Sequence, residues 1–298
     1  MATAIFSVLR GGLGPHFGTE IRAENRRRNQ NLTLQRHAYP RMKHRIQQFG
    51  AFFWGLVFLA IPRSHGATEA DFEARARHEY NETRAKQRGN PGNPELFWKF
   101  ACACFNVAEF ASDSEERADF AQQGMEACHH LIDHDPSSAP GHYYLGMNMG
   151  QLARTRGIGA LKIVTQMEPQ FQRARELDEK FDYAGPDRNL GLLYFQAPRI
   201  GSIGSRSKAH THLQKAVDLA PDYPENHLNL LEAFIKWSDR NGAHRELKAL
   251  TDLWPKAKTN YTGQRWEASW IDWTKRLEQA KKKVEAPSRT IEAPSHRD

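Results

Sequence analysis

Among the side chains able to do chemistry, three histidines stand together, His129, His130 and His134, beside Asp133 and Asp135. Positions four apart share a helix face, so His130 and His134 offer a divalent cation two nitrogen ligands with a carboxylate nearby. A solvated helix end explains the same residues, and no metal site is expected. The stretch Gly201-Ser202-Ile203-Gly204-Ser205-Arg206-Ser207-Lys208 is the second suggestive feature. Free amides at the start of a following helix, with the charges of Arg206 and Lys208, suit an anion; a turn followed by a helix cap is the plainer alternative. Cys102 and Cys104 are two apart on a helix and diverge, while either can approach Cys128, so one bridge or three small buried thiols are the alternatives. The chain lacks HExxH, P-loop spacing, a GxSxG elbow and paired CxxC motifs. Neither catalysis nor a cofactor is expected.

Helices have to place these residues, and their spacing is legible between Arg188 and Pro255. Pro221 and Pro255 are 34 residues apart, the period of a tetratricopeptide repeat. Between them His227, Leu230-Leu231, Phe234, Ala243 and Leu247 fall at the positions where that repeat has W, L-G, Y and A-x3-F. Upstream, Leu190-Gly191-x2-Tyr194 repeats the L-G-x2-Y core and Ala209-x3-Leu213 supplies the second helix. Small residues let two helices approach closely, proline ends the second helix, and neighbouring hairpins must stack to bury their apolar faces.

The same register extends in both directions. Phe72, Ala76 and Tyr80 mark a first helix over Glu69 to Lys86, and the Gly89 to Pro94 stretch breaks it. Trp98, Ala101-Cys102 and Phe105 open a hairpin whose second helix is capped by Ser112 or Ser114 and runs to about Ile132. His142, Leu145-Gly146 and Met149 open the next. Its partner comes late, at Met167-x3-Phe171, and the inserted residues around Leu161, Ile163 and Val164 read as an extra short helix ending near Pro169. The expectation is an all-α solenoid over residues 67–283, with hairpins at about 95–136, 139–181, 184–221 and 224–255. Trp266, Trp270, Trp273 and Leu277 lie on one helical face; a capping helix is the main reading and a partner-binding aromatic strip the other. Residues 284–298 repeat Glu-Ala-Pro-Ser and read as a disordered tail.

Met42-Lys43-His44-Arg45, the apolar run Phe49 to Ile61 and Ser64-His65-Gly66 have the order of a secretory signal over residues 42–66. Residues 1–41 are then expected to be a leader outside the exported protein; an organelle transit peptide is the alternative. Ten of the 42 Lys and Arg, but two of the 35 Asp and Glu, precede Ala67. The remainder is nearly charge-balanced, which removes the compositional case for nucleic-acid binding.

Repeat solenoids line their concave surface with the first helix of each hairpin. Tyr143, Arg188, Asn189, Glu225, Asn229, Glu232 and Lys236 are therefore expected to face a groove, with a structural ion pair among Asp182, Asp187 and Arg188 as the alternative. As a set, Met167-Glu168, Leu177-Asp178, Gly185-Pro186, Leu190-Gly191-Leu192-Leu193-Tyr194, Ala197-Pro198, Gly201 to Gly204 and Lys208-Ala209 resemble the T-component family of bacterial TRAP transporters over residues 95–255. That resemblance implies a periplasmic or secreted, non-catalytic protein, trimeric, whose groove works with a solute-binding protein or a small solute. No cysteine closely follows the signal, so no lipid anchor is expected. A general protein-interaction scaffold of the cell envelope is the alternative function.

Overall fold

The computed structural model describes residues 68–157 and 159–286. The expected leader and signal segment, and the tail beyond Ala286, lie outside the described residues. Ten α-helices follow in order among them: α1 (Glu69–Gly89), α2 (Pro94–Ala108), α3 (Ser114–His134), α4 (Ala139–Ala153), α5 (Ala160–Leu177), α6 (Phe181–Gln196), α7 (Arg206–Leu219), α8 (Pro224–Lys236), α9 (Arg240–Asn260) and α10 (Glu267–Glu285), with a 3-10 turn at Gln264–Trp266 before α10. No strand occurs among the described residues. The hairpins α2/α3, α4/α5, α6/α7 and α8/α9 pack in series through α3 on α4, α5 on α6 and α7 on α8. This is an all-α, tetratricopeptide-like solenoid. Helix α1 lies against α2 at one end, and α10 covers α8 and α9 at the other.

Local chemistry sets where the helices begin. Asn93 caps α2 by accepting the Glu95 amide, with Pro94 in the first turn. Ser138, Ser205 and Asp239 cap α4, α7 and α9 in the same way. The cap of α3 is neither Ser112 nor Ser114, as expected, but Asp113. Its extended backbone brings one carboxylate oxygen to both the Glu115 and Glu116 amides, and Glu116 reaches back to the Ser112 amide at 2.6 Å.

Close helix approach explains the small residues of the repeat. A Cβ on Gly146 would stand 2.7 Å from the Phe171 ring, and one on Gly191 would stand 2.7 Å from Leu213 Cγ, so each glycine admits a large side chain from the hairpin's second helix. Phe171 and Leu213 are fully buried as a result.

Two expectations about boundaries are corrected. The inserted residues before Pro169 form no separate helix. They lengthen α5, which runs through Pro169 because that ring is exposed and the carbonyl it leaves unbonded can be hydrated. Helix α9 likewise continues five residues past the exposed Pro255. The α6 span begins with Asp182, Tyr183 and Ala184 in left-handed backbone conformation, φ 49°, 56° and 62°. Right-handed helix starts only at Gly185-Pro186, where proline suits the first turn.

The tryptophan face of α10 covers the open end of the core. Trp273 is fully buried, Leu277 is buried, and Trp266 and Trp270 are half-buried against them. The cysteines are free, with Cys104 and Cys128 buried. His130 stacks on Phe97 and His134 with ring centroids 4.2 and 4.4 Å apart, and no group of three metal-ligating side chains occurs among the described residues. No described helix is long and apolar enough to cross a membrane.

Candidate binding groove

The first helices of the hairpins bring Tyr143, Arg188, Asn189 and Glu225 to one cavity of about 640 Å³. Helix α1 forms one lip with Phe72, Arg75 and Glu79, and the segment Gln264 to Ser269 forms the other. Arg75 ties the two lips together. Its Nη1 donates to the Gln264 carbonyl at 3.3 Å and to Glu267 Oε2 at 2.9 Å, joining residues 189 and 192 positions apart in sequence.

Arg188 is the hub of the floor. Nη1 donates to the carbonyls of Asp182 and Tyr183 at 3.0 and 3.2 Å and to Asn226 Oδ1 at 3.3 Å, while Nη2 donates to Asp182 Oδ2 at 2.7 Å. The left-handed turn thus aims its carbonyls at a buried guanidinium. Tyr143 donates its hydroxyl proton to Asp182 Oδ2 at 2.6 Å and accepts from Asn189 Nδ2 at 3.1 Å. Burial alone would weaken the charge on Arg188, but Tyr143 and Asp182 beside it more than compensate and hold its pKa above the ordinary arginine range. The Tyr143 phenol is raised well above its usual value, first by burial and then by Asp182. Arg188 also lies over the Tyr223 ring, 5.4 Å from its centroid, and Tyr223 stacks on Tyr183 at 4.4 Å.

Three groups remain available to a ligand. Tyr223 is 7% exposed, lines the cavity, and its hydroxyl has no hydrogen-bond partner among the described residues. The Tyr183 hydroxyl has none among them either, and Glu79 forms no ion pair with them. Cys102 also lines the wall; burial pushes its thiol pKa up to about 12, so it stays protonated and poorly nucleophilic.

The other residues expected in the groove go elsewhere. Asn229 and Glu232 turn to α10, where Arg276 donates to both, and also to Glu225 and Asp272. Trp273 Nε1 donates to the second Glu225 oxygen at 2.6 Å. Lys236, at the end of α8, is exposed and does not line the cavity. Asp187 does not reach Arg188 but binds Arg175 and His212 at 3.0 and 2.7 Å. Of the anion-loop pair, Arg206 lines a second cavity, whereas Lys208 lies over the Tyr194 ring, 3.7 Å from Glu168. Sequence reasoning missed Arg75, Arg276 and Tyr223. Arg276 had a usable signal, since it follows the core residue Trp273 by three and Asp272 by four on a capping helix.

A family model described as "Regulator of microtubule dynamics protein 1-3" matches residues 65–183, under half of the chain. It is a different family from the T-component family expected from the sequence. No curated protein matches. Among solved structures, a thermophilic tetratricopeptide-repeat protein of Thermus thermophilus, TTC0263, is similar at a TM-score of 0.53 and 17% identity, covering 70% of this chain and 91% of its own. MamA (TM-score 0.44, 17% identity, 65% of this chain and 99% of its own) and yeast Tom70 (0.38, 15%, 72% and 50%) are further matches. The first likeness agrees with the tetratricopeptide-like fold built above from the helices.

Proposed function

We propose that the chain is a non-catalytic binding scaffold that holds an extended segment of a partner protein in the cavity between α1 and Gln264–Ser269. The observation that carries this is the cavity itself: about 640 Å³, floored by a pre-organised Arg188 network and walled by aromatic rings with two free tyrosine hydroxyls. Apolar walls favour side chains, and the hydroxyls suit the carbonyls of an extended backbone. Fixed polar groups lower the ordering entropy that binding must overcome.

The narrower, transporter-accessory form of this reading is an exported protein with a solute-binding protein or small solute at the same place. The match over residues 65–183 favours a different narrow form, in which the partner belongs to the machinery of microtubule dynamics. The test is selection of binding peptides from a random display library, followed by affinity measurement on the full chain and on Ser269→Trp, which fills the cavity wall. Peptides that bind the parent chain and lose affinity in Ser269→Trp support the proposal. Peptides that bind both equally refute the groove, and a small molecule carried in stoichiometric amount through native mass spectrometry shifts the reading to a solute. Co-sedimentation with microtubules, lost in the same variant, selects the microtubule form.

A further inference from the structure

A second cavity, of about 660 Å³, lies where the α6–α7 loop faces the α8–α9 turn. Phe234 and Trp237 line it together with Arg199, Arg206 and His210, and the His210 ring packs on both aromatics with centroids 5.6 and 6.2 Å apart. Arg206 lies over the Trp237 ring, 5.1 Å from the centroid, which presents a planar cation to the opening instead of burying it in an ion pair. Neither Arg199 nor Arg206 has a carboxylate partner among the described residues. The carboxylate in the lining, Asp239, is engaged as the cap of α9, accepting the Gly242 amide at 2.8 Å.

The loop that carries Arg199 is held in shape. Gly204 N–H donates to the Pro198 carbonyl at 3.1 Å, Ser205 N–H donates to the Tyr194 carbonyl at 3.0 Å, and Gly201 takes φ 75°. Beside Arg199 stands Ile200, 94% exposed, the exposed large apolar side chain among the described residues. Ser205 Oγ already accepts the Lys208 amide, so the arginines, and not the helix end, are the groups left for an anion.

We propose that this cavity is a second binding site, separate from the groove, for an acidic peptide segment that carries an apolar residue beside its carboxylates. The carboxylates meet Arg199 and Arg206, where planar guanidinium forks bind them well. The apolar residue packs against the half-buried Trp237 ring, and Ile200 adds an apolar contact beside Arg199. The volume exceeds what a single small anion occupies, which favours a segment over a free ion.

The test uses the full chain and fluorescein-labelled Glu-Glu-Phe-Glu-Glu, read by anisotropy at low salt. Expected are saturable binding, weakening as salt rises, and a loss of about tenfold on Arg199→Ala and again on Arg206→Ala. Both side chains are exposed, so folding survives their removal. Lys248→Ala, an exposed charge on α9, should bind as the parent does. Unchanged affinity in both arginine variants overturns the proposal. So does displacement by inorganic phosphate as effectively as by unlabelled peptide, or equal binding of a peptide with Gly in place of Phe, since either means an adventitious anion only.

Discussion

Replacing Asp272 with Asn should stabilise the chain at neutral pH, although it removes a carboxylate that touches Arg276. Asp272 is 6% exposed and shares Arg276 with Glu225 and Glu232. Burial disfavours its charge most, Arg276 pulls the other way, and Glu225 and Glu232 push back, so the carboxyl is raised from 3.8 to about 6. A group raised on folding binds its proton more tightly in the folded chain than in the unfolded one. Its stabilising contribution is therefore complete below the unfolded value of 3.8 and is lost as pH rises through about 6. The shift corresponds to about 3 kcal/mol. Asn keeps the shape without the charge and leaves Arg276 two carboxylates. The expected gain is about 1–3 kcal/mol at a pH of about 7.5, shrinking toward zero or reversing near pH 4. Urea unfolding of both chains across that range, followed by circular dichroism, measures it. A variant no more stable than the parent at neutral pH, or a gap that widens toward acid, refutes the reasoning.

Three further outcomes follow from the packing. Arg276→Met leaves Glu225, Glu232 and Asp272 without that guanidinium and should lose about 3–5 kcal/mol in the same unfolding assay, with part recovered by adding Glu225→Gln. Gly191→Ala puts a methyl 2.7 Å from Leu213 Cγ and 2.9 Å from the Leu213 backbone nitrogen, so thermal unfolding should show a loss of about 1–3 kcal/mol. Ser238 is exposed with φ 59° in a Schellman turn, where its amide donates to Ile235 and the Asp239 amide to Phe234; Ser238→Gly should raise stability by about 1 kcal/mol.

The hairpins were legible because their signal is local and repeated. Gly146 and Gly191 each sit opposite a large residue of the next helix, and that pattern survives wide sequence divergence. The prolines misled for the opposite reason. Pro169 and Pro255 carry the composition of helix stops, but each faces water, and exposure is a tertiary property that spacing does not reveal. The groove was half legible. First-helix positions did bring Tyr143, Arg188, Asn189 and Glu225 to one cavity, whereas Asn229 and Glu232 were claimed by Arg276, which lies 44 to 47 residues further along the chain.

The left-handed turn explains why the polar residues at the cavity floor bond chiefly to each other. Three consecutive non-glycine residues in that conformation cost about 1–2 kcal/mol each, so Asp182 to Ala184 would not hold it unaided. Arg188 supplies the compensation, taking two carbonyls and one carboxylate of the turn, while Asn226 donates to the Tyr183 carbonyl from α8 and ties the turn to the next hairpin. The position of the Tyr183 ring over Tyr223 thus depends on the guanidinium more than on backbone preference. Arg188 is in this sense a positioning residue. Its buried charge is spent on fixing the wall, and the tyrosine hydroxyls that it orients, together with Glu79 at the lip, are the groups left to meet a ligand.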